Sequence, residues 1–286
     1  MGRNISSLLF FCLVLMASIV KSQDFKCGTV VPSNARQIEE GHYQSLLSLY
    51  EFQGITNCLN KVLSINYIIV TDSLNDLGLT IANINNGVQS LNNWFSPICL
   101  SFQVCSIDTV YAYKYNKWHA GQEHDEFVAL YCKENVINIV LVEEIEDPGG
   151  ANGYAPLGIS MPGSPRYDLI CIAKNGVNGK TLYHEMGHFF GLYHPFEVSL
   201  GNELVNGSNC TIAGDLVCDT PADINPAPID PGCVWNGTNV DANNDYYTPI
   251  LGNIMSYHDA SCALSFTTDQ YNRMIFCFLN YRNYLY

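Results

Sequence analysis

HEMGHFFGLYH, residues 184–194, is the stretch whose reading decides this chain. An α-helix turns ~100° per residue, so His184 and His188 fall roughly 40° apart on one face, near enough for two imidazoles to share one metal ion. Glu185 falls about 100° round from His184, beside the metal but off the ligand line, where its carboxylate can hold and deprotonate a water. Leu182, Met186, Phe189 and Tyr193 make an apolar stripe on the opposite side that docks the helix into a core. Gly191 accepts a positive φ at a helix C-terminus, so the chain can turn there and bring His194 back toward the metal. Three protein ligands leave one tetrahedral position open, the arrangement of a catalytic zinc and not of a closed structural site.

The N-terminus opens with Arg3, runs through the apolar stretch Leu8 to Val20 and offers small residues near a cleavage point after Ser22, so residues 1–22 read as a signal peptide. That run is too short for about 30 Å of hydrocarbon, and no later run approaches roughly 18 residues, so a secreted product with no transmembrane anchor is expected. The 286-residue chain carries a formal charge of −14. Removing residues 1–22 takes Arg3 and Lys21 and no acid, leaving a still more acidic protein. Such a surface repels nucleic acid and anionic membranes, while its oxygens can hold calcium. Of the 12 cysteines, Cys12 lies in the signal, and the odd number that remains predicts disulfides with one thiol left over. Sequons at Asn206, Asn209 and Asn236 suit an exported protein. A monomer is expected.

Residues 23–60 read as a short pro-segment, with a modest helix in QIEEGHYQSLLSLYEF (37–52). Strands are predicted at Ile65–Val70, Cys99–Tyr113, Val136–Val142 and Asp168–Ala173, and a helix at Leu77–Phe95. This alternation predicts an α/β subdomain over 61–191. Between the last two strands lies the glycine-rich run 147–163, within which Ala151–Ile159 is a candidate rim that takes substrate as an added β-strand. Residues 197–262 are rich in Gly, Asn, Asp and Pro and predict loops held by disulfides and ions, followed by a helix over Thr267–Leu279. The catalytic domain is thus 61–286, with a lower subdomain at 192–286. The six-residue spacing of Cys99 and Cys105 suggests a local loop closure, and up to five bridges are expected in all. DANNDY (241–246) begins like an EF-hand but lacks its glycine and its final glutamate, so ordinary Asx turns explain it as well as calcium does.

NIMSY (253–257) adds a methionine in a tight turn, Met255, and a tyrosine, Tyr257. Together with the histidine string it resembles the Met-turn of the metzincins. With GDLVCDTPAD (214–223) and SCALSFTTDQYNRM (261–274), the chain is similar to the pappalysin family, the ulilysin-like group of metzincin zinc peptidases, over most of residues 60–280. The resemblance implies a zincin fold, α/β to α+β. An upper twisted, mostly parallel sheet carries two long helices, a lower irregular disulfide-rich subdomain ends in a C-terminal helix, and the cleft lies between them. It implies zinc on His184, His188 and His194, Met255 beneath them, and a Tyr257 that touches zinc at rest and swings to stabilise an oxyanion. It implies calcium near Asp215, Asp219 and Thr220, and a Cys233–Cys262 disulfide. Cys27, in KCGT, resembles the family's pro-segment cysteine, whose thiolate fills the open zinc position in a zymogen; a plain disulfide, for instance with Cys58, is the other reading. In some members an acid after the Met-turn tyrosine selects basic substrates, and Asp259 or Ala260 occupies that stretch here. The expected activity is that of a secreted zinc metalloendopeptidase acting on proteins or peptides, with Glu185 as general base. The alternative is a zinc-binding, peptidase-like binding or toxin module without turnover.

Overall fold

Lys61–Val70 (KVLSINYIIV) forms β1, whose last six residues are buried on both faces, as a continuous apolar run in the middle of a parallel sheet must be. The computed structural model describes residues 26–39, 58–147, 150–158, 168–225, 232–262 and 265–285, and β1 organises the first half of them. It pairs in parallel with β2 (Leu100–Val110) on one side and β4 (Ile137–Val142) on the other. β4 pairs in parallel with β7 (Leu169–Ala173), and the short β6 (Gly153–Tyr154) closes that edge antiparallel to β7, giving the order β2-β1-β4-β7-β6. β3 (Lys117–His119) and β5 (Glu144–Asp147) make a separate two-stranded ribbon.

The two-residue period of β1 sorts its side chains into two cores. Leu63, Ile65, Tyr67 and Ile69 join a cluster with α1 (Ile81–Phe95) and α3 (Lys180–Phe189), whereas Ile68 and Val70 pack with Trp118, Tyr115 and Phe127 on the other face. Phe127 belongs to α2 (Ala120–Tyr131) and is its only fully covered side chain. The sheet is therefore covered on both faces, the α/β arrangement that the alternating pattern predicts. α1 begins with a capping box between Thr80 and Asn83 and buries Ile84, Val88, Leu91 and Phe95 at helical spacing.

Beyond residue 190 the described chain is mostly turns, pinned by Cys210–Cys218 and Cys233–Cys262, until α4 (Thr268–Cys277), which opens with a second capping box between Thr267 and Gln270. A π turn over Phe278–Arg282 follows, and Arg282 pairs in the interior with Asp168, 2.8 Å away, at the foot of β7. No described helix is long and apolar enough to cross a membrane.

Two expectations about cysteine are corrected. Cys99 pairs with Cys58, not Cys105, stapling the start of β1 to the start of β2. Cys105 is the extra residue of a bulge in β2, between the pairs Ile65–Val104 and Asn66–Ser106. Six residues of strand separate Cys99 and Cys105 by about 20 Å, whereas a disulfide needs Cα atoms within about 7 Å. Among the described residues three bridges form and not five, leaving Cys27, Cys105, Cys132, Cys171 and Cys277 as thiols. The signal peptide and most of the helix expected over 37–52 lie outside the described residues; of the latter, 37–39 continue a helical turn that starts at 35.

Candidate active site

All three histidines of the string converge. α3 enters from Gly179, carries His184 and His188 one turn apart, and stops at Phe190; Gly191 has φ +85° and donates its N–H to His188 O, 2.8 Å away. The chain reverses there, and His194 Nε2 comes to 3.2 Å from His184 Nε2 and 3.1 Å from His188 Nε2, which are themselves 3.0 Å apart. His184 Nδ1 lies 2.8 Å from Ile254 O and His188 Nδ1 2.7 Å from Leu192 O. A carbonyl only accepts, so each Nδ1 carries the proton and each of these two Nε2 atoms turns a lone pair inward. Inward lone pairs at such distances repel unless a cation stands between them. Tetrahedral zinc with Zn–N near 2.0–2.1 Å would separate its nitrogens by about 3.4 Å, so the donor set fits that ion with a slight expansion. Burial, and then the neighbouring histidines, hold the His184 pKa well below the usual value; burial pushes His188 down to about 4. All three rings are the neutral donors that a metal needs.

Met255 lies beneath α3. A Cβ on Gly187 would sit 2.5 Å from its sulfur, so only glycine at 187 lets the methionine approach this closely. The turn that carries Met255 is held by Asn253, which bonds Met255 N (2.8 Å) and exchanges amide hydrogen bonds with Gln270 of α4 (3.2 and 3.3 Å). α3 is buried all round, with Cys27 and Thr29 covering its metal-binding side at Glu185.

That cover is specific. Cys27 pairs with Gly153 in a parallel bridge, and its Sγ and the three histidine Nε2 atoms all lie within 4.8 Å of one another. The thiol donates to Glu185 Oε2 at 3.5 Å, and burial and then the Glu185 charge raise its pKa well above the usual value. Thr29, absent from the sequence-based site, donates its hydroxyl within reach of both Glu185 Oε2 (3.2 Å) and Ala155 O (3.1 Å) and accepts from Ala155 N (3.0 Å). Glu185 is fully buried, and burial pushes its carboxyl up to about 8 against the opposing bonds from Cys27 and Thr29. Gly153 passes over it so closely that a Cβ there would meet Glu185 Cγ at 2.8 Å. Tyr257 Oη accepts from Cys27 N and donates to Cys27 O, both at 3.1 Å, with its ring 5.0 Å from that of His194.

The acid sites divide. Asp215 is buried, with Oδ1 accepting from Val217 N (3.0 Å) and Oδ2 lacking a hydrogen bond; Thr220 is buried beside it and bonds Val217 O (3.1 Å). Asp219 does not join them: it is exposed, and its Oδ2 accepts from Asp269 N (3.0 Å) at the start of α4. In its place stands Glu203, buried, with an unbonded Oε2 and a charge that acts on Asp215. A loop glutamate twelve positions before Asp215 gave no motif by which to find it. Asp241 spends its carboxylate on the backbone N–H groups of Val205, Asn243 and Asp245, which is turn chemistry. Asp259 is exposed and accepts from Ser261 N (2.7 Å), while His258 is buried against Asp223 (3.1 Å).

A family model described as pregnancy-associated plasma protein-A matches residues 134–278, a span that holds the histidine string, the Asp215 loop, the Met255 turn and α4. An extracellular metalloprotease of Pyricularia oryzae is 27% identical over 303 residues, covering 99% of each chain. An extracellular metalloprotease of Arthroderma benhamiae is 34% identical over 282 residues, covering 94% of this chain and 88% of its own. Among solved structures, a promirolysin mutant of Tannerella forsythia superposes with a TM-score of 0.61 at 16% identity, covering 91% of this chain and 96% of its own, a likeness of fold.

Proposed function

The chain belongs to the pregnancy-associated plasma protein-A family of metallopeptidases, and on that premise we propose how its residues divide the work. It is a zinc metalloendopeptidase, and, like relatives named extracellular metalloproteases, it acts outside the cell on protein substrates. His184, His188 and His194 hold the zinc. The observation that carries this is the convergence of three Nε2 atoms at 3.0–3.2 Å. Zinc supplies a Lewis acid there, polarising the scissile carbonyl and acidifying water.

Glu185 takes a proton from the attacking water and passes it to the departing amine. Its carboxyl, pushed up by burial to about 8, suits a group that must hold a proton between the two transfers. Tyr257, once free of Cys27, turns its hydroxyl toward the carbonyl oxygen as negative charge develops. Ala155, whose N–H and C=O Thr29 occupies, belongs to the rim that binds substrate backbone. Residues 23–60 are the pro-segment and 61–286 the catalytic domain, split near 191. Cys27, among the three histidine nitrogens, would help hold the zinc of the zymogen as a thiolate. Chelation with 1,10-phenanthroline should abolish hydrolysis of casein and added zinc should restore it; turnover that survives metal removal, verified by elemental analysis, refutes the reading.

Asp215, Thr220 and Glu203 form a calcium site in this proposal, Glu203 replacing Asp219. Burial pushes Glu203 up to about 8, and burial followed by the Glu203 charge raises Asp215 well above the carboxylate range. Without a cation the folded protein therefore holds protons that the unfolded chain releases near pH 4. Stability then falls as pH rises from about 4.5 through 8, by on the order of 1.4 kcal/mol per pH unit for one such carboxyl. Calcium replaces those protons, so it should raise the melting temperature more at pH 8 than at pH 5. A shift equal at both pH values, or none at either, rejects the site.

A further inference from the structure

Arg273 is almost completely buried on α4 and points at the turn that delivers the third histidine. Its Nε donates to Gly191 O at 2.8 Å, its guanidinium lies 5.0 Å from the centre of the Tyr193 ring, and its Nη2 pairs with Glu39. Glu39 also accepts from Tyr193 Oη at 3.0 Å. Gly191 and Tyr193 flank Leu192, whose carbonyl fixes the His188 ring, and Tyr193 precedes His194. One side chain thus grips the reversal on both sides of the residue that orients the second ligand, immediately before the third. Two backbone bonds close the reversal, from Gly191 N to His188 O (2.8 Å) and from Leu192 N to Gly187 O (3.0 Å), and a third, from Gly158 N to His188 O (3.1 Å), reaches its first residue from the segment after β6. None of them ties residues 191–193 to another part of the molecule. Arg273 does so from the helix that also holds the Met255 turn through Gln270.

We propose that Arg273 is a positioning residue for the zinc ligands, fixing the 191–194 turn through Gly191 O and the Tyr193 ring, and that Glu39 of the N-terminal segment holds its guanidinium in register. The inference rests on the zinc reading of the three histidines. A ligand that must swing back from a turn binds metal only as well as that turn is held, and outer partners of metal ligands typically govern affinity by about 10- to 100-fold. Residues 26–39 therefore touch the ligand set twice, through Cys27 at the metal position and through Glu39 behind the third histidine. Arginine is required because its Nε–H and Nη2–H address two acceptors at once in a rigid plane, which a lysine ammonium does not reproduce.

The test uses the full chain with Arg273→Lys, which keeps the charge beside Glu39 but removes the Nε–H, and with Glu39→Gln. Zinc affinity is read by competition with a chromogenic chelator, and the visible spectrum of the cobalt(II)-loaded protein reports ligand geometry. Arg273→Lys should lose about 10- to 100-fold in zinc affinity and alter the cobalt bands, with Glu39→Gln giving a smaller loss in the same direction. A folded Arg273→Lys that binds zinc like the wild type and shows the same cobalt spectrum overturns the proposal, even if its melting temperature falls. If Arg273→Lys fails to fold, Glu39→Gln decides alone, and unchanged affinity and spectrum again overturn it. A wild-type protein that binds no zinc overturns the reading beneath it instead.

Discussion

Replacing Glu185 with alanine should reduce peptide hydrolysis by at least 10²- to 10⁴-fold while leaving zinc bound and the fold intact, since that is the usual range for a general base. The reasons lie in the geometry. Glu185 follows His184 on α3, and its Oε2 accepts from the thiol that stands at the metal position and from the Thr29 hydroxyl beside it. The Nδ1 groups of His184 and His188 are held by the carbonyls of Ile254 and Leu192 and not by Glu185, so its loss spares the orientation of these ligands. The substitution also removes a buried acid, and the folded variant should be no less stable. The decisive measurement is turnover of a quenched peptide alongside zinc content: a variant that keeps its zinc and most of its activity excludes Glu185 as the base. Zinc retention with no turnover in either protein would instead support a binding module, a reading that the family and its intact Glu185 disfavour.

Most of the site was legible because its chemistry sits at short spacing. His184 and His188 are one helical turn apart, and Gly191 supplies the φ +85° that returns the chain to His194. The parallel strands were legible too, since β1, β4 and β7 are apolar on both faces and so read as unbroken runs. The ribbon β3–β5 and the helix α2 were not predicted: α2 buries only Phe127 completely, so the amphipathic period that marks a helix is faint there. Contacts between distant parts of the chain were the least legible. Thr29 meets Glu185 across 156 positions, Glu39 meets Arg273 across 234, and nothing local in either segment announces the partner. The choice of bridges failed for the same reason. Counting cysteines gave an odd thiol, but only the pairing of β1 with β2 reveals that Cys58 reaches Cys99.

Full-length protein carrying Cys27→Ala should hydrolyse peptides without N-terminal cleavage, at a rate about tenfold or more above the intact wild-type precursor, a change equivalent to about 1.4 kcal/mol of latching free energy. Cys58 is bonded to Cys99, so Cys27 keeps its thiol, and that thiol stands among the three histidine nitrogens. Thiolate binds zinc tightly, and the cation reverses the effect of burial that otherwise raises the thiol pKa. Alanine removes this ligand but leaves Thr29, whose hydroxyl accepts from Ala155 N and keeps its one O–H within reach of Glu185 Oε2 and Ala155 O. The single variant should therefore be partly latent, and adding Thr29→Ala should raise activity further. Thiol titration in the Glu185→Ala background, where self-processing cannot intervene, supplies an independent readout: Cys27 should react slowly with zinc bound and rapidly after chelation. Intact-mass analysis must accompany the rates, because cleavage of the segment mimics activation. A Cys27→Ala precursor that stays as silent as the wild type, with its N-terminus intact, means the peptide chain over the cleft blocks by its backbone and Thr29 alone, and the sulfur adds nothing.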